Sequence, residues 1–595
     1  MLVPAVLLAC HALVAGPQTQ APDLNQAVDD EARCADCHDE IVASYAKTGM
    51  ARALRPIEDV DLSGLERVLE APSRFHYHFE GAGADARIVE QWLGRDGQPR
   101  PETRTEVPLR FAIGAGIFDT AFAAEHGDAW WFAPLELISA HGGASRHAQL
   151  SPKHMQRAGQ RFTSPVPDDC LACHTERLPS RGYPQNSVPT EPWTPRGIGC
   201  AGCHLHGPEH AEWRDAELGG RTPDSPDPLL APSRMTLEQR VSLCARCHMQ
   251  GDARVVLEPG LVGLPPPGCD LLAVNAVFIG AGESDEIGFV SAGERMLESK
   301  CFEASMRSSK PMTCETCHDP HRTLFEPSET ARVRNACMRC HVESGTPPVG
   351  RSPACSLEFE LRGEKDCVDC HMRKTPPFDV FGVEIHDHSI RVVNPPPSSY
   401  ERVRATQANG GPLARVAWPG KPVPLADDPG VRLLALRSIG QNQGAARLLD
   451  AKCDPTIANT VAYQFTRAGM LASAGRAEEA RACYERARAL DPTEPAVQTN
   501  LAGVLNQLGR HGEALKLLDP LLERVPHAEA ALLNRARARA ALGELAGART
   551  DLETLQASRP RGDVAESLAN LCEALGDGAA AARWRAAARR IEPRE

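Results

Sequence analysis

A pair of cysteines separated by two residues and followed at once by histidine occurs seven times in this 595-residue chain. The copies are Cys34-Ala-Asp-Cys37-His38, Cys170-Leu-Ala-Cys173-His174, Cys200-Ala-Gly-Cys203-His204, Cys244-Ala-Arg-Cys247-His248, Cys314-Glu-Thr-Cys317-His318, Cys337-Met-Arg-Cys340-His341 and Cys367-Val-Asp-Cys370-His371. With 21 histidines in 595 residues, chance would place one there about once in 28, so seven of seven is a selected pattern. The chemistry that needs it is c-type haem attachment: two thiols add across the porphyrin vinyl groups, and the next residue turns its imidazole onto the iron. Zinc ribbons need two thiolate pairs per metal and make no demand on the following residue. A thioredoxin-type redox motif occurs once in a βαβ context, and iron–sulfur runs use other spacings. The expectation is seven covalent haems c, with His38, His174, His204, His248, His318, His341 and His371 as proximal ligands.

An electron-transfer haem wants a sixth protein ligand, whereas an enzyme leaves that position open. Eleven histidines lie between the N-terminal segment and residue 393 outside the motifs, enough to close every iron, against two after residue 430. His210 and His321 are the leading distal candidates, because each follows a motif behind a Gly-Pro or Asp-Pro turn that swings it toward a neighbouring iron. His388 is preferred over His386, one of His76 and His78 is a further candidate, and Met50 is a candidate at the first haem. Outside the motifs, Cys301 and Cys355 are expected to form a disulfide in an oxidising compartment. Cys453, Cys483 and Cys572 read as small core residues.

The elements that must position these groups are read from composition and period. Aromatic residues are only 5% of the chain, low for several cores unless flat apolar cofactors supply part of them. The formal charge of −13 argues against nucleic acid and for an acidic soluble surface. Residues 1–16 read as a signal peptide lacking a basic n-region, and Leu7-Leu8-Ala9-Cys10 loosely resembles a lipoprotein box. The mature chain has no apolar run of transmembrane length. Residues 30–392 read as the haem domain, with short helices around the motifs. Phe75–Phe79 and Ala86–Trp92 form a small β-hairpin in an otherwise irregular stretch. Residues 393–430 hold eight prolines and read as an extended linker.

After it comes a second repeat. Gly475, Gly509, Gly543 and Gly576 recur at 34, 34 and 33 residues, in register with Ala480, Ala514, Ala548 and Ala581 and with Pro492, Pro526, Pro560 and Pro593. Glycine at a turn, alanine at a close helix contact and proline after the second helix match tetratricopeptide repeats, here over 431–595. Gly440, Ala446 and Leu449 hint at a degenerate unit upstream.

Four phrases carry a resemblance: Tyr45 to Arg52, Gly197 to His210, Cys314 to His321 (CETCHDPH), and Cys367 to His388. On these the chain resembles a bacterial family of extracytoplasmic multihaem cytochromes c ending in tetratricopeptide repeats. Its haem part is similar to the tetrahaem electron carriers of nitrifying bacteria. It departs from the family's commonest form at Leu205-His206, where a plain Gly-Pro-Gly turn is usual. The resemblance implies a mainly α, haem-dominated domain followed by an α-solenoid. It implies a periplasmic electron-transfer protein, with the repeats docking a redox partner, rather than an enzyme. The alternative is a multihaem oxidoreductase of the nitrite-reducing or hydroxylamine-oxidising kind with one open iron.

Overall fold

The stretch between the first two motifs is not irregular: it is a nine-stranded antiparallel sheet. In the computed structural model, residues 26–591 are described except 66, 128, 141–144, 153–160, 163, 180–185, 190, 259–260, 262, 281–286, 343–351, 354–365, 392–412 and 559. The strands are β1 (Leu54–Pro56), β2 (Leu69–Glu70), β3 (Phe75–Glu80), β4 (Arg87–Trp92), β5 (Thr105–Ile113), β6 (Asp119–His126), β7 (Ala129–Phe132), β8 (Leu135–Ala140) and β9 (Ser145–Leu150). They run as a meander β2-β3-β4-β5-β6-β8-β9, with β1 added to β5 and β7 to β6. The β3–β4 hairpin read from sequence is present, pairing Phe75 with Trp92 and Glu80 with Arg87. It is one corner of a larger element, so a mainly α haem domain with a single hairpin is corrected.

Alternation explains the sheet. Along β3 the residues Phe75, Tyr77 and Phe79 are buried while His76 and His78 face outward, the period-2 signature of a half-buried strand. Tyr77, Phe79, Ile88, Leu109, Phe122 and Leu135 are each at most 2% exposed and form the core, with Phe79 edge-on to Phe122 at 5.3 Å. Burying each such side chain contributes roughly 1.5–3 kcal/mol. Glu90 is fully buried in this core, accepts the Tyr77 hydroxyl at 3.0 Å and is held by the Arg161 guanidinium.

The motifs sit on short helices joined by ordered loops. The first lies at a kink in α1 (Gln26–Tyr45), where His38 has non-helical φ/ψ. The third precedes α2 (Gly207–Leu218), and the fourth closes α3 (Leu237–His248). That helix starts on a capping box in which Thr236 and Gln239 satisfy each other's backbone N–H groups. The second, fifth and seventh occupy single turns, Asp168–Leu171, Cys314–Cys317 and Cys367–His371, and α4 (Ala292–Leu297) packs against α3.

The expected linker is partly structure. Within 393–430, residues from Leu413 are described, and β12 (Leu413–Arg415) completes a small antiparallel sheet with β10 (Ala253–Val256) and β11 (Asn275–Gly280). Trp418 is 6% exposed and donates its indole N–H to Asp270 at 2.9 Å. The solenoid follows without a gap: α5 (Pro429–Ser438), then four helix pairs, α6 (Val461–Ser473) with α7 (Ala477–Leu490), α8 (Pro495–Gln507) with α9 (His511–Arg524), α10 (Glu529–Ala541) with α11 (Leu545–Ser558), and α12 (Gly562–Ala574) with α13 (Gly578–Ile591). The predicted markers fall where the period puts them. Gly475, Gly509, Gly543 and Gly576 turn each pair at φ between 73 and 83°, and Ala480, Ala514, Ala548 and Ala581 are at most 1% exposed.

The solenoid does not stand apart from the rest of the chain. Ala253, Val255, Ala276, Phe278 and Leu413 of the three-stranded sheet share one apolar core with Val431, Leu433 and the helix pairs. At the far end Arg161 donates to the Ile591 carbonyl at 2.7 Å, so α13 closes back onto the nine-stranded sheet.

Candidate functional site

The large sheet positions the second motif. Leu171, the residue inside that motif, is fully buried in a cluster with Phe111 and Trp130 of the sheet, to which Trp193 adds its ring. Close by, His174 Nδ1 hydrogen-bonds the Ala53 carbonyl at 3.2 Å, which leaves Nε2 as the nitrogen available to a metal.

The motif thiols are unlike ordinary cysteines. Free cysteine is among the most buried residue types, and Cys483 and Cys572 of the solenoid are buried, yet none of the fourteen motif cysteines is. His248 likewise has an exposed surface, while enclosure by surrounding protein lowers its pKa. That combination describes side chains lining an interior space rather than a convex surface. Among the described residues no three His, Cys, Asp or Glu side chains converge as a metal site of protein ligands alone.

The motifs adjoin one another. Cys173 and Cys247 are within side-chain hydrogen-bonding reach, as are Cys244 and Cys314. Cys203 lies near Cys244 and Cys247, and Cys337 near Cys367 and Cys317. Motifs two, four, five, six and seven thus form a continuous series, with the third beside the fourth. The first joins through α1, where Arg33 pairs with Asp215 of α2 at 3.0 Å and Ser44 donates to the His321 carbonyl at 2.7 Å.

Two of the expected distal histidines face a proximal one. The His204 and His321 rings are 6.2 Å apart between centroids and 12° from parallel, and His318 and His388 are also 6.2 Å apart, at 43°. Two metal–imidazole bonds of about 2 Å, plus about 1 Å from each nitrogen to its ring centre, span about 6 Å. Burial lowers the pKa of His174, His204 and His318 and brings His388 down to about 4, favouring the neutral imidazole that binds metal.

The other distal candidates are placed differently. His210 on α2 has Nδ1 on Asp227 Oδ1 at 2.8 Å, the carboxylate support typical of ligating histidines. His386 is bonded through Nδ1 to the Met372 carbonyl at 2.7 Å. His76 and His78 sit on the outer face of β3 among polar partners, His78 with Glu80 at 3.0 Å and His76 with Gln91. Among the described residues His76 Nε2 and His78 Nδ1 are each buried without a hydrogen-bond partner. Met50 lies beside the third motif rather than at a free loop tip, its carbonyl accepting the Ile198 N–H at 2.9 Å. The Cys301–Cys355 disulfide is corrected: Cys301 is a free thiol and Cys355 lies outside the described residues. Cys269, which sequence reasoning left without a role, is disulfide-bonded.

Comparison with known proteins bears on the C-terminal part. Tetratricopeptide repeat families match residues 471–533 and 504–563, so this region is a tetratricopeptide-repeat solenoid. No curated protein matches the chain. Similar solved structures include "MamA MSR-1 C2", 20% identical over 27% of this chain and 92% of that one at a TM-score of 0.25. Another is "MamA 41-end from Desulfovibrio magneticus RS-1", 16% identical over 27% and 91% at the same score. No helix among the described residues is long and apolar enough to cross a membrane.

Proposed function

We propose that this chain is an extracytoplasmic multihaem cytochrome c that passes electrons through seven covalently bound haems, with its tetratricopeptide repeats receiving a protein partner. The observation that carries the reading is the adjacency of the motifs. Six attachment signatures, none with buried thiols, run side by side with cysteines near one another, and the first adjoins them through α1, so groups attached to them would neighbour one another. Bound haem supplies an iron that gains and loses one electron at a time. The chain's own residues do the rest. His204 with His321 and His318 with His388 fit an iron held from both sides, and burial keeps the imidazoles of His204, His318 and His388 neutral and ready to ligate. The surrounding short helices and ordered loops fix each ligand. Export follows from the chemistry, because haem is ligated to thiols outside the bacterial cytoplasm.

The oxidoreductase reading is favoured by one observation. The imidazoles whose charge lowers the pKa of His248 are those of His318 and His174, each the proximal residue of another motif, an arrangement that suits an open sixth position at motif four. Protein produced in a host with haem-ligation machinery should show seven haem additions by intact mass; five or fewer overturns the count. Ferric electron paramagnetic resonance separates the two functions. Uniformly low-spin iron supports electron transfer, and a high-spin signal that shifts on adding nitrite or hydroxylamine supports the enzyme.

A further inference from the structure

We propose that a cavity beside motif four, floored by Glu294, binds a small organic cation bearing a protonated amine. The inference does not rest on the haem reading, since every group it uses belongs to the polypeptide. The cavity has a volume of about 70 Å³ and lies between β11, α4 and the loops at 250–252 and 287–291. Glu294 is 3% exposed, its Oε1 accepts the Gly251 N–H at 3.1 Å, and its buried Oε2 has no hydrogen-bond partner. A buried carboxylate oxygen left without a partner destabilises the fold, so its retention suits a ligand that supplies the missing donor.

The surrounding charge fixes the sign of that ligand. Asp252 on the wall and Asp379 at the rim join Glu294 around the cavity, while Glu298 is paired with Arg295. Among the described residues that line it the one cation, Arg295, is already engaged by Glu298 at 2.9 Å and by Asp387 at 2.8 Å. Its charge is therefore cancelled within its own cluster. The carboxylates do not gather at metal-ligand spacing; they ring a space, as suits a cation with its own N–H donors. Phe378 lines the rim, an aromatic ring of the kind that attracts cations, and Gly288 leaves the space beside it open, since a Cβ there would touch the Phe378 ring at 3.6 Å.

Glu294 also supplies a proton signal. Burial, with the nearby charges of Asp252 and Glu298, raises its pKa to about 7. A cation favours the carboxylate, so uptake near pH 7 should release a proton and tighten as the pH rises from 6 to 8.

Calorimetry on the full-length protein with methylammonium chloride, repeated in buffers of different ionisation enthalpy, tests this. Saturable binding with proton release is expected. Glu294→Gln, which keeps the acceptor for Gly251, should weaken binding at least about tenfold and abolish the release. Asp252→Asn, with an unchanged thermal melt, should also weaken it and decides the question if Glu294→Gln does not fold. Absence of saturable binding, unaltered binding in the folded variants, or uptake of calcium in place of methylammonium overturns the proposal.

Discussion

At the residue scale the two facing imidazole pairs make separable predictions. Replacing His388 with alanine removes the partner of His318 but neither thiol of that motif. The haem mass should stay unchanged while one haem in seven becomes high-spin. His321→Ala should do the same at His204. A spectrum unchanged in both variants would show that the rings face each other without sharing an iron. A second residue-scale prediction concerns acid. Asp387 is 5% exposed; burial alone would raise its pKa, but the hydrogen bonds and charge of Arg295 outweigh that and bring it from 3.8 to about 2. A depressed carboxylate stabilises the fold above its unfolded pKa and loses that contribution as pH falls. Asp387→Asn should therefore cost about 2 kcal/mol at pH 7, and its penalty should shrink between pH 4 and 2. Denaturant titrations at stepped pH would read this directly.

At the element scale the turns of the solenoid can be tested by contrast. Gly509 has φ of +73° and nothing within 4 Å of where a Cβ would stand, whereas Gly512 is helical with equally open surroundings. Gly509→Ala should destabilise by about 1–2 kcal/mol through backbone strain alone. Gly512→Ala should stabilise by about 0.5–1 kcal/mol through helix propensity and a less flexible unfolded chain. Equal effects in thermal melts would count against the assigned turn geometry. These glycines were legible because a fixed period repeated them. The large sheet was not. Its first hairpin announced itself by alternation at Phe75–Glu80, but β6 is built on Ala121, Ala123 and Ala124, poor strand formers. In β5, Pro108 breaks the donor pattern expected of a paired strand. Their burial is decided by the neighbouring strands, information no single run contains. Among the site residues, the attachment motifs could be read directly, since covalent chemistry fixes their spacing. The distal partners could not, because His204 and His321 meet only through the fold.

At the scale of the whole molecule the repeats and the haem-bearing part share a core. A chain ending near residue 430 would uncover Val255, Phe278 and Leu413, which pack against Val431 and Leu433. Such a truncation should lower the melting temperature of the remaining part, and a melt identical to that of the full chain would mean the shared core is dispensable. Arg161→Ala tests the other attachment. Among the described residues it leaves the fully buried Glu90 with only the Tyr77 hydroxyl opposite, for a loss of roughly 3–5 kcal/mol in denaturant unfolding, and it frees the Ile591 carbonyl at the end of α13.

Attachment at both ends also bears on how such a chain can change over generations. Repeat arrays ordinarily gain and lose units freely, because each unit touches only its neighbours. Here the distance between the first anchor at β12 and the last at Arg161 sets the length of the array. An inserted unit would carry Ile591 past its seat, and a deleted one would leave it short. Geometry thus opposes a change in copy number and leaves the side chains of the solenoid's surfaces as the part free to vary.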